Sequence, residues 1–162
     1  MKKTTILTLL NSQKSTTKKT TRKDVIELVA SLVEKHIPAN AEISGLSLNR
    51  SMSGLNLGDI IEVVAKSLYN NPLEKSDKSY DLTDNNKKVE VKFATSDAYA
   101  HPFNNEKVDY YMIITYSKKL GGKVFKIPFA NKSEIDVNAQ KRITINQNDK
   151  FLDKGLTKRL FN

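Results

Sequence analysis

The chain has 162 residues, of which 38% are hydrophobic, and this is enough for a folded domain with a substantial core. Its net charge of +9 favours a polyanionic partner, and nucleic acid is the commonest partner of that kind. The chain has no cysteine, which excludes disulfides, zinc–thiolate sites and cysteine nucleophiles. It has only two histidines. Carboxylates remain as the available hard ligands, and they suit magnesium or manganese.

The first 23 residues contain seven lysines or arginines and no acidic residue. A segment of this composition is predicted to be a flexible basic arm, followed by a single domain over residues 24–162. Lys18, Lys19 and Arg22 are its candidate contacts to nucleic-acid phosphates. A simple solubilising tail is the alternative interpretation.

The apolar run from Thr4 to Leu10 faintly resembles a signal peptide. It is short and diluted by threonine, and no cleavage site of the small-x-small type follows it. No stretch of the sequence has the length needed to cross a bilayer. The sequence therefore predicts a cytoplasmic protein without a membrane partner.

Two helices are predicted before the first strand. Apolar residues recur at helical spacing over Asp24–His36, and a second stripe covers Leu57–Tyr69, which also carries Glu62. The intervening segment, Ser44–Leu57, is predicted to be a loop in which Arg50 is a candidate phosphate contact.

The segment Tyr80–Ala94 has the pattern of a hairpin. Val89, Val91 and Phe93 alternate with Lys88, Glu90 and Lys92 after the polar turn Thr83–Asn86. Successive side chains of a strand point to opposite faces, so Glu90 and Lys92 are predicted to share one face. Asp81 lies on the segment before the turn and adds a second carboxylate near the same end of the hairpin.

The remaining chain supplies the rest of an α/β fold. Val108–Tyr116 is apolar throughout and is predicted to be a central strand covered on both faces, and Lys123–Pro128 is predicted to be the next strand. A short strand over Lys141–Asn146 and a basic helix over Asp149–Phe161 complete the pattern. This order predicts a central mixed β-sheet flanked by helices.

The helix with Glu62, the strand with Asp81, the turn and the Glu90-Val91-Lys92 strand together resemble the PD-(D/E)xK nuclease superfamily. That superfamily includes many restriction endonucleases, Holliday junction resolvases and mismatch-repair nicking enzymes. The resemblance covers about residues 55–128, and it implies a restriction-endonuclease-like fold. One departure from the family pattern is Tyr80, which precedes Asp81 where the pattern has proline.

The resemblance implies a magnesium-dependent DNA endonuclease of restriction, homing or resolvase type, in which manganese substitutes for magnesium. Asp81, Glu90 and the carbonyl of Val91 would bind the metal, and Lys92 would orient a water and stabilise negative charge. Glu62 would hold a second metal or a metal-bound water. A homodimer is expected, because a chain with one such motif cuts one strand.

Several alternatives remain open on the sequence alone. Asp77 and Asp84 are rivals of Asp81, and Glu62 is placed to form an ion pair with Lys66 one helical turn away. Glu90 and Lys92 would also suit a plain ion pair on an edge strand. Lys87 and Lys88, which follow the turn, are expected to contact a nucleic-acid backbone. A non-catalytic nucleic-acid binder or a protein-binding module on the same scaffold would share these features.

Overall fold

A computed structural model describes residues 1–12, 20–46, 48–49, 54–74, 79–95, 100–102, 104–118, 121–134, 142–144 and 149–162. The chain forms two compact units, Met1–Ser76 and Asp77–Asn162, which are called the first and the second unit below. This division differs from the predicted arrangement of a basic arm followed by one domain over residues 24–162. The boundary between the units falls near residue 76, and no shift in composition marks it in the sequence.

The first unit is mainly helical. Its helices are α1 (Lys3–Ser12), α2 (Thr20–His36) and α3 (Leu57–Leu68), and its strands are β1 (Leu48–Asn49) and β2 (Gly54–Leu55). The two short strands pair antiparallel within the segment predicted to be a loop. Helix α1 packs against α2, and α2 packs against α3. The predicted helices over Asp24–His36 and Leu57–Tyr69 correspond to α2 and α3, with small differences in their ends.

Helix α1 belongs to the folded first unit, so the prediction of a flexible arm is wrong for residues 3–12. Ile6 and Leu10 lie one turn apart on the helix and are fully buried. The buried Lys3 ammonium donates a hydrogen bond of 3.0 Å to the Glu34 carbonyl oxygen. The prediction was based on the charges of this segment and overlooked its short apolar face. Lys18 and Lys19 lie outside the described residues.

Helix α3 is buried on nearly all sides. Asn56 is its N-cap, and the Asn56 side-chain oxygen accepts hydrogen bonds of 2.9 and 3.4 Å from the backbone N–H groups of Gly58 and Asp59. The buried positions include the charged residues Glu62 and Lys66 as well as the apolar stripe. A helix that is buried all round has to pair such charges internally.

The second unit contains the main sheet. Its strands are β3 (Leu82–Asp84), β4 (Lys87–Ala94), β5 (Ala100–Pro102), β6 (Tyr110–Ser117), β7 (Gly121–Pro128) and β8 (Arg142–Thr144), and its helix is α4 (Lys154–Phe161). Four strands form one sheet in the order β3-β4-β6-β7, and β5 pairs with β8 separately. Strands β4 and β6 are parallel, whereas the β3–β4 and β6–β7 pairs are antiparallel. The prediction of an α/β fold with a mixed sheet is therefore confirmed.

Strand β6 is the interior strand that the sequence predicts. All of its residues from Tyr110 to Thr115 are buried. On one face of the sheet, Tyr111 and Ile113 of β6 pack with Phe125 and Ile127 of β7. A strand with neighbours on both sides and cover on both faces reads as a continuous apolar run, which explains the Val108–Tyr116 pattern.

The C-terminal segment covers the outer edge of β7. The Asp153 N–H donates to the Val124 carbonyl oxygen at 2.9 Å, and the Val124 N–H donates to the Thr157 hydroxyl oxygen at 2.9 Å. Asp153 is also the N-cap of α4, because its Oδ1 accepts from the Leu156 N–H at 2.8 Å. The cap explains why α4 begins at Lys154, later than the Asp149 start that the sequence predicts. Edge protection of this kind satisfies backbone groups that would otherwise be open to strand pairing.

The described residues contain no helix that is both long enough and apolar enough to cross a membrane.

Replacement of Leu10 tests whether α1 is part of the folded unit. Leu10→Ala removes a fully buried side chain and is expected to destabilise the first unit by about 2–5 kcal/mol. Thr5→Ala, on the exposed side of the same helix, is expected to change stability by about 0.5 kcal/mol or less. Urea unfolding followed by circular dichroism measures both variants. Equal, negligible effects of the two substitutions would restore the flexible-arm interpretation.

Candidate functional site

A two-residue turn sets the geometry of the candidate site. Asn85 and Asn86 adopt positive φ angles of 47° and 67°, which are the left-handed conformations required by the tight turns of hairpins. The turn fixes the register in which Leu82 pairs with Val89 and Asp84 pairs with Lys87. Asparagine tolerates this conformation better than other residues with a β-carbon, so the local sequence favours the hairpin that forms.

Glu90 and Lys92 form an ion pair on one face of β4. The distance between the Lys92 Nζ and the Glu90 Oε1 is 2.8 Å, with the two side chains 28% and 16% exposed, respectively. Parallel pairing with β6 places Glu90 beside Tyr111 and Lys92 beside Ile113. A charged pair therefore lies at the border between solvent and the apolar cover of the sheet, where its interactions are screened less than on an open surface.

Asp81 lies immediately before β3 and contacts the same part of β4. Its N–H donates to the Val89 carbonyl oxygen at 2.8 Å, and its Oδ2 accepts from the Val91 N–H at 2.7 Å. The Asp81 carboxylate thus takes the place that a backbone carbonyl would have if β3 were longer. The N–H and carbonyl of one strand residue point to the same side, so the Val91 carbonyl is directed toward the Asp81 side of β4.

Asn105 connects the segment before Asp81 to Glu90. Its Nδ2 donates to the Ser79 carbonyl oxygen at 2.7 Å and to the Glu90 Oε2 at 3.1 Å. Its backbone N–H donates to the Tyr111 hydroxyl oxygen at 3.0 Å. The Glu90 carboxylate is therefore held from two directions, by Lys92 at one oxygen and by Asn105 at the other.

Tyr111 completes this group of side chains. Burial raises the pKa of the Tyr111 hydroxyl above its ordinary value, and the negative charge of Glu90 raises the pKa further. The hydrogen bond from the Asn105 backbone and the positive charge of Lys92 act in the opposite direction and lower the pKa. Sequence reasoning assigned Tyr111 to the core and did not single out Asn105. The pairing of Tyr111 with Glu90 depends on strand register, which the sequence does not display.

Asp84 lies on the opposite face of the sheet. Its Oδ2 accepts from the Tyr110 hydroxyl at 2.8 Å and lies 3.5 Å from the Lys126 Nζ. The Lys126 Nζ also lies 3.8 Å from the Asp153 Oδ2. Lys126 and Val91 both pair with Met112, so Lys126 shares the face of Val91 and not that of Glu90. The Asp81 carboxylate thus contacts the backbone of the residue that follows Glu90, whereas Asp84 is on the opposite face. Asp77 lies outside the described residues.

Glu62 is engaged within the first unit. Its Oε1 lies 3.1 Å from the Lys66 Nζ, and both side chains are buried. The Lys66 ammonium also donates to the Glu74 carbonyl oxygen, which ties the chain after α3 back to the helix. A buried ion pair that is also hydrogen-bonded has a structural explanation, because removal of either partner would leave an uncompensated charge.

The predicted nucleic-acid contacts are distributed over both units. Lys87 and Lys88 are exposed at the start of β4, and the Lys88 Nζ lies 5.4 Å from the centre of the Tyr80 ring. Arg22 is exposed near the start of α2. Arg50 lies outside the described residues, as do the two lysines of the segment before α2.

The donor set near β4 fits a hard divalent metal in its chemistry. Two carboxylates and one backbone carbonyl are oxygen donors of the kind that magnesium accepts while retaining several waters. Lys92 and Asn105 hold the carboxylate of Glu90, and the Val91 N–H holds that of Asp81. No cluster of three histidine, aspartate or glutamate side chains suited to a metal occurs in the described part of the chain. Any metal here would thus rely on the Val91 carbonyl and on solvent or substrate oxygens.

Comparisons of the chain with protein-family models, with curated proteins and with solved structures found no match.

The titration of Tyr111 tests the site geometry independently of any activity. Glu90→Gln removes a negative charge and is expected to lower the Tyr111 pKa, whereas Lys92→Met removes a positive charge and is expected to raise it. Carbon-13 NMR of labelled tyrosine rings measures the pKa, with Tyr111→Phe used to assign the signal. Lys126→Met, on the other face, serves as the control and should leave the value unchanged. Equal pKa values in all three charge variants would contradict the arrangement.

Proposed function

We propose that the protein is a magnesium-dependent endonuclease that hydrolyses phosphodiester bonds of DNA. The observation that carries the proposal is the Glu90–Lys92 ion pair, 2.8 Å long and partly open to solvent, on either side of Val91, whose N–H donates to the Asp81 carboxylate. The net charge of +9 supports a polyanionic substrate. The arrangement is also the one that the resemblance to PD-(D/E)xK nucleases implies.

Asp81, Glu90 and the Val91 carbonyl are the proposed metal ligands. Magnesium bound there, or manganese in its place, would supply a Lewis acid for the phosphate oxygens and lower the pKa of a coordinated water. The hydrogen bond from the Val91 N–H fixes one oxygen of Asp81, and Asn105 fixes one oxygen of Glu90. Preorganised ligands of this kind need little rearrangement when substrate binds.

Lys92 is the proposed electrostatic catalyst. Its ammonium group is held by Glu90 but remains 28% exposed, so it is accessible to a phosphate at the surface of the sheet. A fixed positive charge in a partly desolvated position stabilises negative charge that develops during phosphoryl transfer. Tyr111 stays protonated at neutral pH because its pKa is raised, so it adds no negative charge to the site.

Glu62 is left out of the proposed centre. Its carboxylate already neutralises the buried Lys66 within the first unit. Recruiting it to a metal would require separating a buried ion pair, which is costly.

A matched pair of lysine variants tests the proposed activity. Lys92 and Lys126 lie on opposite faces of the same sheet, have similar exposure of 28% and 30%, and each contacts a carboxylate. Lys92→Met is expected to reduce magnesium-dependent cleavage by ~10²–10³-fold, while Lys126→Met retains activity. Glu90→Gln and Asp81→Asn should also be inactive.

The assay uses magnesium with linear duplex, single-stranded, flap and four-way-junction DNA, and circular dichroism confirms that each variant is folded. Cleavage that survives Lys92→Met, or that is lost equally in Lys126→Met, would refute the assignment. DNA binding without any cleavage by the unmodified protein would instead indicate a non-catalytic nucleic-acid-binding module.

A homodimer is the proposed working form for double-strand cutting of restriction, homing or resolvase type. Each chain offers one proposed centre, and two-fold association matches the approximate two-fold symmetry of duplex DNA. Leu156 and Leu160 of α4 are buried within their own unit, so they do not provide an exposed interface. Sedimentation velocity at micromolar concentration, with and without DNA, should reveal a dimer. A monomer in both conditions that makes double-strand breaks in one encounter would contradict this expectation.

A further inference from the structure

A basic cavity lies between the beginning of β7 and helix α4. It has a volume of about 310 Å³, and its lining comprises Gly122, Lys123, Leu152, Lys154, Thr157, Lys158 and Asn162. Gly122 closes one side, because the Phe161 ring packs where a β-carbon at this position would project. The cavity is separate from the Glu90–Lys92 pair on β4.

Three lysines give the cavity its charge. Among the described residues, no ion pair involves Lys123, Lys154 or Lys158. The nearby Asp153 does not neutralise them, since its Oδ1 caps α4 and its Oδ2 lies 3.8 Å from Lys126. Positive charge concentrated in a concave surface attracts anions more strongly than the same charge on a convex one.

The geometry of α4 favours an extended anion over a membrane surface. Lys154 and Lys158 are exposed and lie one turn apart, so their Cα atoms are separated by about 6 Å along the helix axis. The apolar residues Leu156 and Leu160 face the interior of the unit. A helix that binds a bilayer surface needs an apolar face free to enter the lipid, and α4 has used its apolar face for packing.

The cavity and the proposed catalytic pair lie toward the same end of the sheet. Lys123 pairs with Thr115, and Thr115 pairs with Ala94, two residues beyond Lys92 on β4. Lys123 is therefore on the face that carries Glu90 and Lys92. Its strand β7 lies two strand spacings, or about 10 Å, from β4 across the sheet. The Phe161 ring of α4 packs where a side chain at Gly122 would project, which is the opposite face, so the cavity lies around the edge of β7. An anionic chain that contacts both places has to pass around this edge.

We infer that the cavity binds phosphates of a nucleic-acid backbone through Lys123, Lys154 and Lys158. The inference rests on the proposed function and deepens it, because it assigns contacts to the DNA backbone at the β7 edge of the same sheet. It does not require catalysis, so binding in the absence of metal tests it separately. Contacts of this kind position a nucleic acid without reading its sequence.

The experiment compares two double variants of the full chain. Lys154→Gln/Lys158→Gln removes two charges from the cavity, and Lys107→Gln/Lys132→Gln removes two exposed charges elsewhere in the second unit. Fluorescence anisotropy with labelled DNA in EDTA, at 50–300 mM salt, gives the affinity and its salt dependence. The cavity variant should bind roughly tenfold more weakly near 0.1 M salt, and its slope should fall by ~0.9 per lost duplex contact. The control should match the unmodified protein.

The remaining outcomes are decisive in either direction. An unchanged slope in the cavity variant, an equal change in the control, or no DNA binding by the unmodified protein overturns the inference. Binding to vesicles of anionic phospholipid that is lost in the cavity variant, without DNA binding, assigns the cavity to lipid instead. Should the double variant be unfolded by circular dichroism, Lys158→Gln alone provides the test, with about half the change in slope.

Failure of the proposed catalysis leaves this result unaffected. Lys92→Met is expected to lose cleavage while binding DNA with an undiminished contribution from the cavity. The cavity variant is expected to bind DNA more weakly while its Tyr111 pKa, which reports on the candidate centre, stays unchanged.

Discussion

The register of the β3–β4 hairpin is the constraint on which the candidate site depends. Two consecutive asparagines with positive φ define a turn that permits one pairing, in which Leu82 faces Val89. Because side chains alternate along a strand, a shift of one residue would exchange the faces of β3 relative to β4. Asp81 would then lose its hydrogen bond to the Val91 N–H. The contact of Asp81 with the strand that carries Glu90 is therefore a product of turn chemistry as much as of the charged residues themselves.

The sheet separates two charged groups that look alike in sequence. Tyr110 and Tyr111 are neighbours on β6, yet the first contacts Asp84 on one face and the second lies beside Glu90 on the other. Each face thus contains a tyrosine, a lysine and carboxylates. The two groups differ in their surroundings: Lys126 lies between Asp84 and Asp153, which also caps a helix, whereas Lys92 contacts Glu90 at the border of the apolar cover. The first group has an evident structural role, and the second is the group to which the proposed catalysis is assigned.

Local sequence patterns predicted much of the fold. The alternation over Lys88–Phe93 and the apolar run of Val108–Tyr116 are properties of single strands, and each gave the strand found in the structure. The contacts of Asn105 could not be predicted this way, since they depend on how a loop returns to the sheet. Helix α1 was missed for a different reason: its apolar face consists mainly of Ile6 and Leu10, and the surrounding lysines and threonines dominate the composition. Tertiary packing overrides composition in such short segments.

The docking of the C-terminal segment on Val124 affects more than the stability of α4. An uncovered β7 would present a row of backbone donors and acceptors to any extended chain, including another copy of the same sheet. With Asp153 and Thr157 occupying the groups of Val124, the sheet is blocked from growing across that residue. Proteolytic removal of residues 152–162 would open this edge, and the expected result is a species prone to edge-to-edge aggregation. These eleven residues lie outside the proposed centre, and they are expected to determine how well the protein tolerates digestion and high concentration.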